Sequence, residues 1–536
     1  MSSPTYDYVI VGAGAAGCVL ASRLSEDSDT RVLVLEAGPP DTNEKIHVPL
    51  GYLELPRGEL DWGYLSAPEH ECCDRQLPLP RGKVLGGSSS TNAMIYVRGN
   101  ALDYDEWGVT GWSWADLLPY FLRAEDNERG ASPWHGAGGP LSVSEPRSVN
   151  PVSRAFVDAA AQAGLARNED FNGAEQDGAG IYQLTQRAGM RASAAAAYLH
   201  PAMTRSNLTV MADTQVLRVL FERTHAVGVQ VSQRGQEHEL RAEREVILCA
   251  GAYNSPQLLM LSGVGPAEHL MLRGIEVVLD RPAVGENLSD HVATELLWTT
   301  PAPRSGPSRR SWRSTKLLLA SQTGPFASGL AEAGGFARVG ADAPAPDIQF
   351  HVVAVQYLKD GVSDAEAHGA WVSPCLLTPH SRGSVRLASS DPAAKPIVHN
   401  AFYTAGDDLQ RMTAAVGLAL EICAQPALKR FCAEPFTTPD ADTPSRLRAH
   451  IARTSFAFYH PVGTCRMGQD AHAVVDEQLR VNGVQALRIV DASVMPAVPR
   501  GNTNAATIAI AERAADVIRQ GTALARPATS AAANPR

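Results

Sequence analysis

Apolar residues near the start of the chain form two short runs separated by a stretch of small residues. Residues 8–11 and 31–36 are short, apolar and rich in valine, so each predicts a buried strand. Residues 15–24 between them are small and apolar and predict a helix. The order of strand, helix and strand predicts an α/β unit.

Later apolar runs predict the rest of this sheet and a second group of elements. Strands that return the chain to the first sheet are predicted at 208–211, 215–221, 226–232 and 246–249. Near the C-terminus, residues 486–491 predict another strand, and a turn connects it to a helix over 505–519. The second group contains a helix over 151–164 and a strand over 346–353.

The turn between the first strand and the first helix has the spacing G-x-G-x-x-G. Gly12 permits the tight turn, Gly14 leaves bare backbone for a pyrophosphate, and Gly17 lets the helix pack on the strand. The helix N-terminus offers unpaired N–H groups to the phosphates. Glu36, which ends the second strand, can accept hydrogen bonds from an adenosine ribose and disfavours NADP. The segment therefore predicts a dinucleotide site that suits either NAD or FAD.

Length, charge and cysteine content exclude several classes of protein. A chain of 536 residues is too long for one core and suits two or three domains. Its formal net charge of −10 disfavours nucleic acid and anionic membrane surfaces as partners. No run approaches the roughly 20 apolar residues of a membrane span, and no signal peptide precedes the dinucleotide unit, so we expect a cytoplasmic protein. The eight cysteines lack metal-binding spacing, so we expect free thiols and no metal.

Two more glycine-containing segments indicate backbone that meets a ligand or ends a helix. Residues 82–94 place two adjacent glycines before three serines, which suits contact with a flat ligand or a merely flexible loop. In the second segment, Ser255 can cap a helix whose first residue is Pro256 and whose end lies at Gly263 and Gly265. We expect the role of this second segment to be mainly structural.

Together these segments resemble the glucose–methanol–choline (GMC) oxidoreductase family of FAD enzymes. Both family signatures are present, at residues 82–105 and 251–265. The other matching motifs are VGENLSDH at 284–291, PHSRG at 379–383, YHPVGTCRMG at 459–468 and GNTNA at 501–505. The resemblance runs from residue 8 to about residue 518, which is nearly the whole chain.

The resemblance implies a set of FAD contacts and a non-covalent mode of binding. Members that attach FAD through a histidine of the first signature carry it at the position of Thr91, which cannot form this link. Asp491 is expected near FAD, or it acts only as a turn former at its strand end. The predicted FAD-contacting residues are Gly12, Gly14, Ala16, Gly17, Glu36, Ala37, Val84, Gly87, Asn92, Ala93, Val216, Asp491, Ala492 and Thr503.

The resemblance and the order of elements imply an α/β protein, α+β overall, with two domains. A Rossmann-type FAD-binding domain would comprise residues 1–150, 204–295 and 458–522. An inserted substrate-binding domain, built on an antiparallel sheet, would comprise residues 151–203 and 296–457. A Pro-, Ser- and Arg-rich insert at 301–314 predicts a mobile loop, and residues 523–536 predict a flexible tail.

Alcohol oxidation, the reaction that the resemblance implies, removes a proton from oxygen and transfers a hydride from carbon to flavin N5. The proton needs a base, and the developing alkoxide needs a hydrogen-bond donor. His460 is the predicted base, in a turn whose backbone Pro461 restricts. Asn502 is the predicted donor, because an amide N–H donates and cannot take the proton. We expect Thr503 or Asn504 to cap the next helix, whose N-terminus would stabilise negative charge on reduced flavin.

The predicted function is oxidation of a primary alcohol to the aldehyde, with a dehydrogenase preferred over an oxidase. Its partners are a small alcohol and an electron acceptor, which is oxygen, a quinone or another carrier. The alternative is a hydroxynitrile lyase, a class of this family that keeps FAD without redox turnover. Trp62 lies near the entrance of the site or packs in the core, and we interpret His291, His351 and His380 as solvated or structural.

Overall fold

Two seven-stranded sheets organise the chain in the computed structural model, which describes residues 5–55, 58–300, 318, 320–357, 367–439 and 443–525. The first sheet is parallel at its centre and antiparallel at one side. Its strands in spatial order are Leu208–Met211, Val32–Leu35, Tyr6–Val11, Gln236–Leu248, His225–Gln233 and Thr214–Glu222, and Leu487–Ile489 also pairs with Gln236–Leu248. The sequence prediction that the later strands rejoin Tyr6–Val11 is confirmed.

The second sheet is antiparallel throughout its described pairs. In spatial order its strands are Phe456–Ala457, Val292–Ala293, Ala367–Leu376, Ile348–Tyr357, Ala331–Ala337 and Gly178–Ile181, and Leu296–Thr300 also pairs with Ala367–Leu376. An antiparallel sheet inserted between segments of a parallel one is the predicted fold class.

Helices cover each sheet and close two separate apolar cores. Ala15–Leu24 and Thr503–Ala525 pack against one another in the core of the first sheet. Pro151–Gln162 and Asp408–Ala424 pack in the core of the second sheet. The other longer helices are Ala101–Glu106, Trp114–Ala124, Gly251–Leu261, Ala267–Leu272 and Pro444–Thr454.

The helix in the second family signature begins earlier than predicted. It spans Gly251–Leu261, so Pro256 lies inside it rather than at its first position. Proline has no N–H to donate to the carbonyl of Ala252, four residues earlier, and the Thr464 hydroxyl donates to that carbonyl instead at 2.6 Å. The predicted end is confirmed, since Gly263 follows the helix with φ +84°.

Two further predictions concern segments that lie wholly or partly outside the described residues. The insert at 301–314 lies outside them. The C-terminal helix continues to Ala525, so the first residues of the predicted tail, 523–525, are helical, and residues 526–536 lie outside the described part.

The carboxyl ends of the parallel strands meet at one edge of the first sheet. Val11, Leu35, Leu248 and Ile489 end these strands. The segments that follow them therefore share that edge, which is where α/β sheets bind their ligands.

Candidate active site

The glycine loop after the first strand is shaped by close backbone packing. Gly12 has φ +100°, and a Cβ at this position would lie 2.6 Å from the carbonyl oxygen of Cys249. A Cβ at Gly17 would overlap the carbonyl oxygen of Gly12, so only glycine lets the helix pack this closely. At Gly14 the nearest such atom is 3.8 Å away, and this residue lines an open cavity. The roles inferred for Gly12 and Gly17 agree with this packing, and the role of Gly14 in binding a pyrophosphate stays a prediction.

Two buried carboxylates hold the backbone at the edge of the sheet. Glu36 accepts hydrogen bonds from the N–H groups of Ala13 and Gly38, both at 2.9 Å. Burial raises the pKa of Glu36 to about 7, and these two hydrogen bonds oppose the rise. Asp491 accepts from Gly251 N–H at 2.9 Å and from the Ser255 hydroxyl at 2.6 Å. The carboxylate of Asp491 therefore fixes the start of the Gly251–Leu261 helix.

One continuous cavity of about 830 Å3 runs along this edge and into the second sheet. Gly17 and Val84 do not line it. Gly17 packs the helix on the strand, and Val84 packs with Ile46, Leu55 and Leu60. Thr91 and Trp62 also line the cavity, and the Trp62 ring stacks on Tyr64. The predicted residues that line it are Gly12, Gly14, Ala16, Glu36, Ala37, Gly87, Asn92, Ala93, Val216, Asp491, Ala492, Thr503, His460 and Asn502.

A chain of hydrogen bonds connects the two predicted catalytic residues to a third residue. Asn502 Nδ2 lies 3.0 Å from His460 Nε2, and His460 Nδ1 lies 2.9 Å from His291 Nδ1. His291 Nε2 lies 3.1 Å from the carbonyl oxygen of Leu377. His460 and His291 are both buried, and their rings meet edge to face.

The Leu377 carbonyl, which ends this chain of hydrogen bonds, determines where each proton lies. A carbonyl oxygen only accepts, so His291 Nε2 donates to Leu377 and His291 Nδ1 of the neutral ring accepts. His460 Nδ1 must then donate to His291, which leaves the lone pair of His460 on Nε2. Asn502 Nδ2 donates to that lone pair. The nitrogen of His460 that is available to take a proton is therefore the one beside Asn502.

The backbone of His460 is held from two sides. Its N–H donates to the buried carboxylate of Asp290 at 2.7 Å. The residue before it, Tyr459, has φ +68°, and the Arg81 guanidinium donates to its carbonyl oxygen at 2.6 Å. Positive φ is costly for a tyrosine, and these two contacts stabilise it. The ring of His460 is thereby aimed into the cavity.

Burial keeps the histidines of the site neutral. It lowers the pKa of His460 well below its ordinary value, and two nearby histidines and Arg81 lower it further. Burial also lowers the pKa of His291 to about 3. Burial raises the pKa of the Asp290 carboxyl to about 7, against the opposing charge of Arg81. A neutral His460 is the form that can accept a proton.

His291, His351 and His380 are interpreted from the sequence as solvated or structural; His291 and His351 are buried next to His460, and His380 is exposed. The assignment of the helix cap was wrong. The helix after Asn502 begins at Thr503, so Asn502 itself occupies the capping position that we assigned to Thr503 or Asn504. Its side chain bonds His460 instead, and among the described residues its Oδ1 has no hydrogen-bond partner.

Comparison with known proteins assigns the family. A family model described as GMC oxidoreductase matches residues 6–293, and a second with the same description matches residues 379–511. The chain is a GMC oxidoreductase. The sequence resemblance is thus confirmed over most of its length.

Relatives of this GMC oxidoreductase oxidise alcohols. The alcohol dehydrogenase [acceptor] of Pseudomonas putida is 42% identical, with 96% of this chain and 95% of the relative covered. The mitochondrial choline dehydrogenase of Homo sapiens is 44% identical, with 98% and 91% covered. The crystal structure of pyridoxine 4-oxidase from Mesorbium loti is 33% identical, with a TM-score of 0.88 and 96% and 99% covered. This GMC oxidoreductase therefore uses FAD and acts on CH–OH donors.

The cavity of this GMC oxidoreductase fits FAD. Its glycine-lined part presents backbone: Gly14 is open, and a Cβ at Gly251, with φ +84°, would meet no atom within 4 Å. The Glu36 carboxylate and the loop with Gly87 border the same space. Within the described part of the chain, no helix is both long and apolar enough to span a bilayer. The cytoplasmic location stays a prediction.

Proposed function

We propose that the enzyme oxidises a primary alcohol to its aldehyde, with His460 as the base and Asn502 as the donor to the alcohol oxygen. The observation that carries the proposal is the hydrogen-bond chain from Leu377 through His291 to His460. It leaves an unprotonated Nε2 of a neutral histidine at the cavity, beside an amide N–H. That pair is what deprotonation of an alcohol requires.

Each side chain has one task in this reaction. His460 Nε2 takes the hydroxyl proton, and His291 accepts from the opposite nitrogen of His460 and keeps it oriented. Among the described residues Asn502 Nδ2 bonds only His460, so its second N–H can donate to the substrate oxygen as negative charge develops there. The N-terminus of the helix Thr503–Ala525 adds a favourable dipole at the same place.

FAD, when it is bound, supplies the hydride acceptor. We propose that Gly12, Gly14 and Glu36 hold its adenosine and pyrophosphate portions, and that Asn92 and Ala93 approach its ring system. We also propose that the FAD-binding and substrate-binding domains have the boundaries that the sequence predicts. The electron acceptor that reoxidises the enzyme is oxygen, a quinone or another carrier, and a dehydrogenase is preferred.

An anaerobic panel of primary alcohols tests the proposed reaction. We expect at least one alcohol to bleach the flavin absorbance without oxygen, because hydride transfer precedes any use of the electron acceptor. Repeating the panel in air with peroxide detection separates an oxidase from a dehydrogenase. If no alcohol bleaches the flavin while a cyanohydrin is cleaved, the enzyme is a lyase and the proposal is wrong.

FAD should be bound without a covalent bond, because Thr91 lines the cavity where histidine-linked members carry the linking residue. Acid precipitation should therefore release all of the yellow colour into the supernatant. A histidine-linked family member treated in the same way is the control. Colour that remains in the protein pellet would contradict the prediction.

Replacing His291 should change the proton position on His460 rather than substrate binding. His291→Phe keeps a ring but cannot accept from His460 Nδ1–H, so we expect kcat to fall about 10- to 100-fold with KM nearly unchanged. His291→Gln is the matched control, since its side-chain oxygen can accept, and it should recover most of the loss. Equal losses in both variants would contradict the orienting role.

A further inference from the structure

Four rings line the cavity next to His460 and form one row, which we call the aromatic wall. Its members in spatial order are His351, Phe458, Phe456 and Trp371. Successive ring centroids are 4.3, 5.8 and 6.2 Å apart, and the ring planes are tilted by 35° to 37°. The Phe458 ring also lies 5.5 Å from that of His460. A row of rings that lines a cavity suits a flat ligand that stacks against them.

The aliphatic lining beside the wall is equally apolar. Leu330, Ala331 and Val353 line the same part of the cavity, and Val353 belongs to the strand that carries His351. A ring that stacks on the wall would therefore lie in an apolar environment. We conclude that the substrate has an apolar, planar body.

His351 is the exception in this apolar wall. It is 1% exposed, and neither ring nitrogen has a hydrogen-bond partner among the described residues. Burial, with a smaller effect of His291, lowers its pKa to about 3, so the ring is neutral and carries one donor and one acceptor. Leaving a buried polar group unpaired destabilises the folded protein. A polar atom of a ligand lying on the wall would pair one of these nitrogens.

The acidic residues of the cavity are engaged elsewhere. Glu36 and Asp491 accept from backbone N–H groups at the glycine-rich edge. Asp61 accepts from the N–H groups of Gly63 and Arg81, and Glu59 is exposed. None of these four acids belongs to the wall. The ring faces attract a cation, but a quaternary ammonium offers His351 no hydrogen bond, and the Glu295 carboxylate that contacts the wall already accepts from Trp371 Nε1 at 3.2 Å.

We propose that the substrate is an uncharged aromatic primary alcohol whose ring carries a second hydrogen-bonding atom, and that His351 recognises this atom. The inference rests on the proposed function, because it names the substrate class of the His460 site. The wall selects the ring, and His351 selects the heteroatom or hydroxyl on it. His460 and Asn502 act on the carbinol group of the same molecule.

Matched alcohols on the FAD-loaded enzyme test the substrate class. The panel contains cyclohexylmethanol, benzyl alcohol, the three hydroxybenzyl alcohols, the three pyridylmethanols and choline. We expect benzyl alcohol to exceed cyclohexylmethanol in kcat/KM, and the best substituted ring to exceed benzyl alcohol by at least about 10-fold. Choline should be the poorest substrate. A preference for choline, or equal rates for all ring alcohols, would overturn the inference.

Variants of the wall separate recognition by His351 from general packing. His351→Phe keeps a ring but loses both nitrogens, so the ratio of kcat/KM for the best substituted alcohol to kcat/KM for benzyl alcohol should fall about 10- to 100-fold, toward one. His351→Gln keeps a donor and an acceptor and should retain much of the preference. Phe456→Leu is the matched control, because it should weaken all ring alcohols alike and leave their ratio unchanged.

Binding and folding are read independently of turnover. In His351→Phe, the inhibition constant of each product aldehyde should rise by about the factor by which kcat/KM of its alcohol falls. Tm and FAD content should stay near wild type. If His351→Phe lowers benzyl alcohol and the substituted alcohols equally, His351 does not recognise the second atom. If no alcohol reduces the flavin at all, the proposed function itself fails, whereas oxidation without ring selectivity overturns only this inference.

Discussion

Replacing His460 with alanine should lower kcat/KM for the best alcohol by about 10²- to 10⁴-fold, the usual contribution of a general base. The loss follows because Nε2 is the lone pair that the Leu377–His291–His460 chain presents to the cavity. FAD should remain bound, since its proposed contacts are the glycine loop and Glu36 rather than this ring. Steady-state kinetics together with the ratio of flavin to protein measure both outcomes.

His460→Asn is the matched control for this substitution. An asparagine side chain reaches the position of Nδ1, so it can keep the contact with His291, but it has no group at the position of Nε2. It should lose as much activity as His460→Ala while staying closer to wild type in Tm. Activity within 10-fold of wild type in either variant would contradict the role of His460.

The Asn502→Ala substitution should lower kcat/KM by about 10²- to 10³-fold, comparable to or less than the loss of His460. It removes one donor to the developing alkoxide and leaves the base in place. The free energy of unfolding should change by about 1 kcal/mol or less, because the Asn502 side chain makes no capping bond in the described structure. Thermal unfolding and steady-state kinetics check the two parts separately.

The double variant His460→Ala/Asn502→Ala extends the test. Both side chains act on the same alkoxide, so the combined loss should be smaller than the product of the two single losses. Losses that multiply fully would indicate that the two residues act on separate steps. Such losses would contradict the claim that both side chains act on the same alkoxide.

The glycine loop and the first helix could be predicted from the sequence because the constraints on them are local. The helix Ala15–Leu24 has the predicted limits, and Gly12 and Gly17 occupy positions where a Cβ would collide with backbone. Such constraints involve residues close in sequence or within one strand–turn–helix unit. They can therefore be read from spacing and residue type.

Contacts between distant segments explain what the sequence did not predict. His291 and His460 are 169 positions apart, and no pattern in the sequence around either residue indicates that their rings meet. The start of the Gly251–Leu261 helix likewise depends on Asp491, a residue 240 positions away. Pro256 indicated a first helical position by local rules, but Thr464 from another segment satisfies the carbonyl that proline leaves free.

The pH dependence of anaerobic flavin reduction tests the central claim, that His460 takes the alcohol proton, most directly. Burial lowers the pKa of His460 well below its ordinary value of about 6.5, so the ring is already the neutral base above that pH. The Asp290 and Glu36 carboxyls have pKa values of about 7 and are ionised well above it, so the reduction rate of the wild-type enzyme should be constant above about pH 8 and fall only at lower pH. In His460→Ala the rate should be far lower and rise steadily with pH, because hydroxide must replace the base. Wild-type and His460→Ala enzymes with the same rate and the same pH profile would contradict the account.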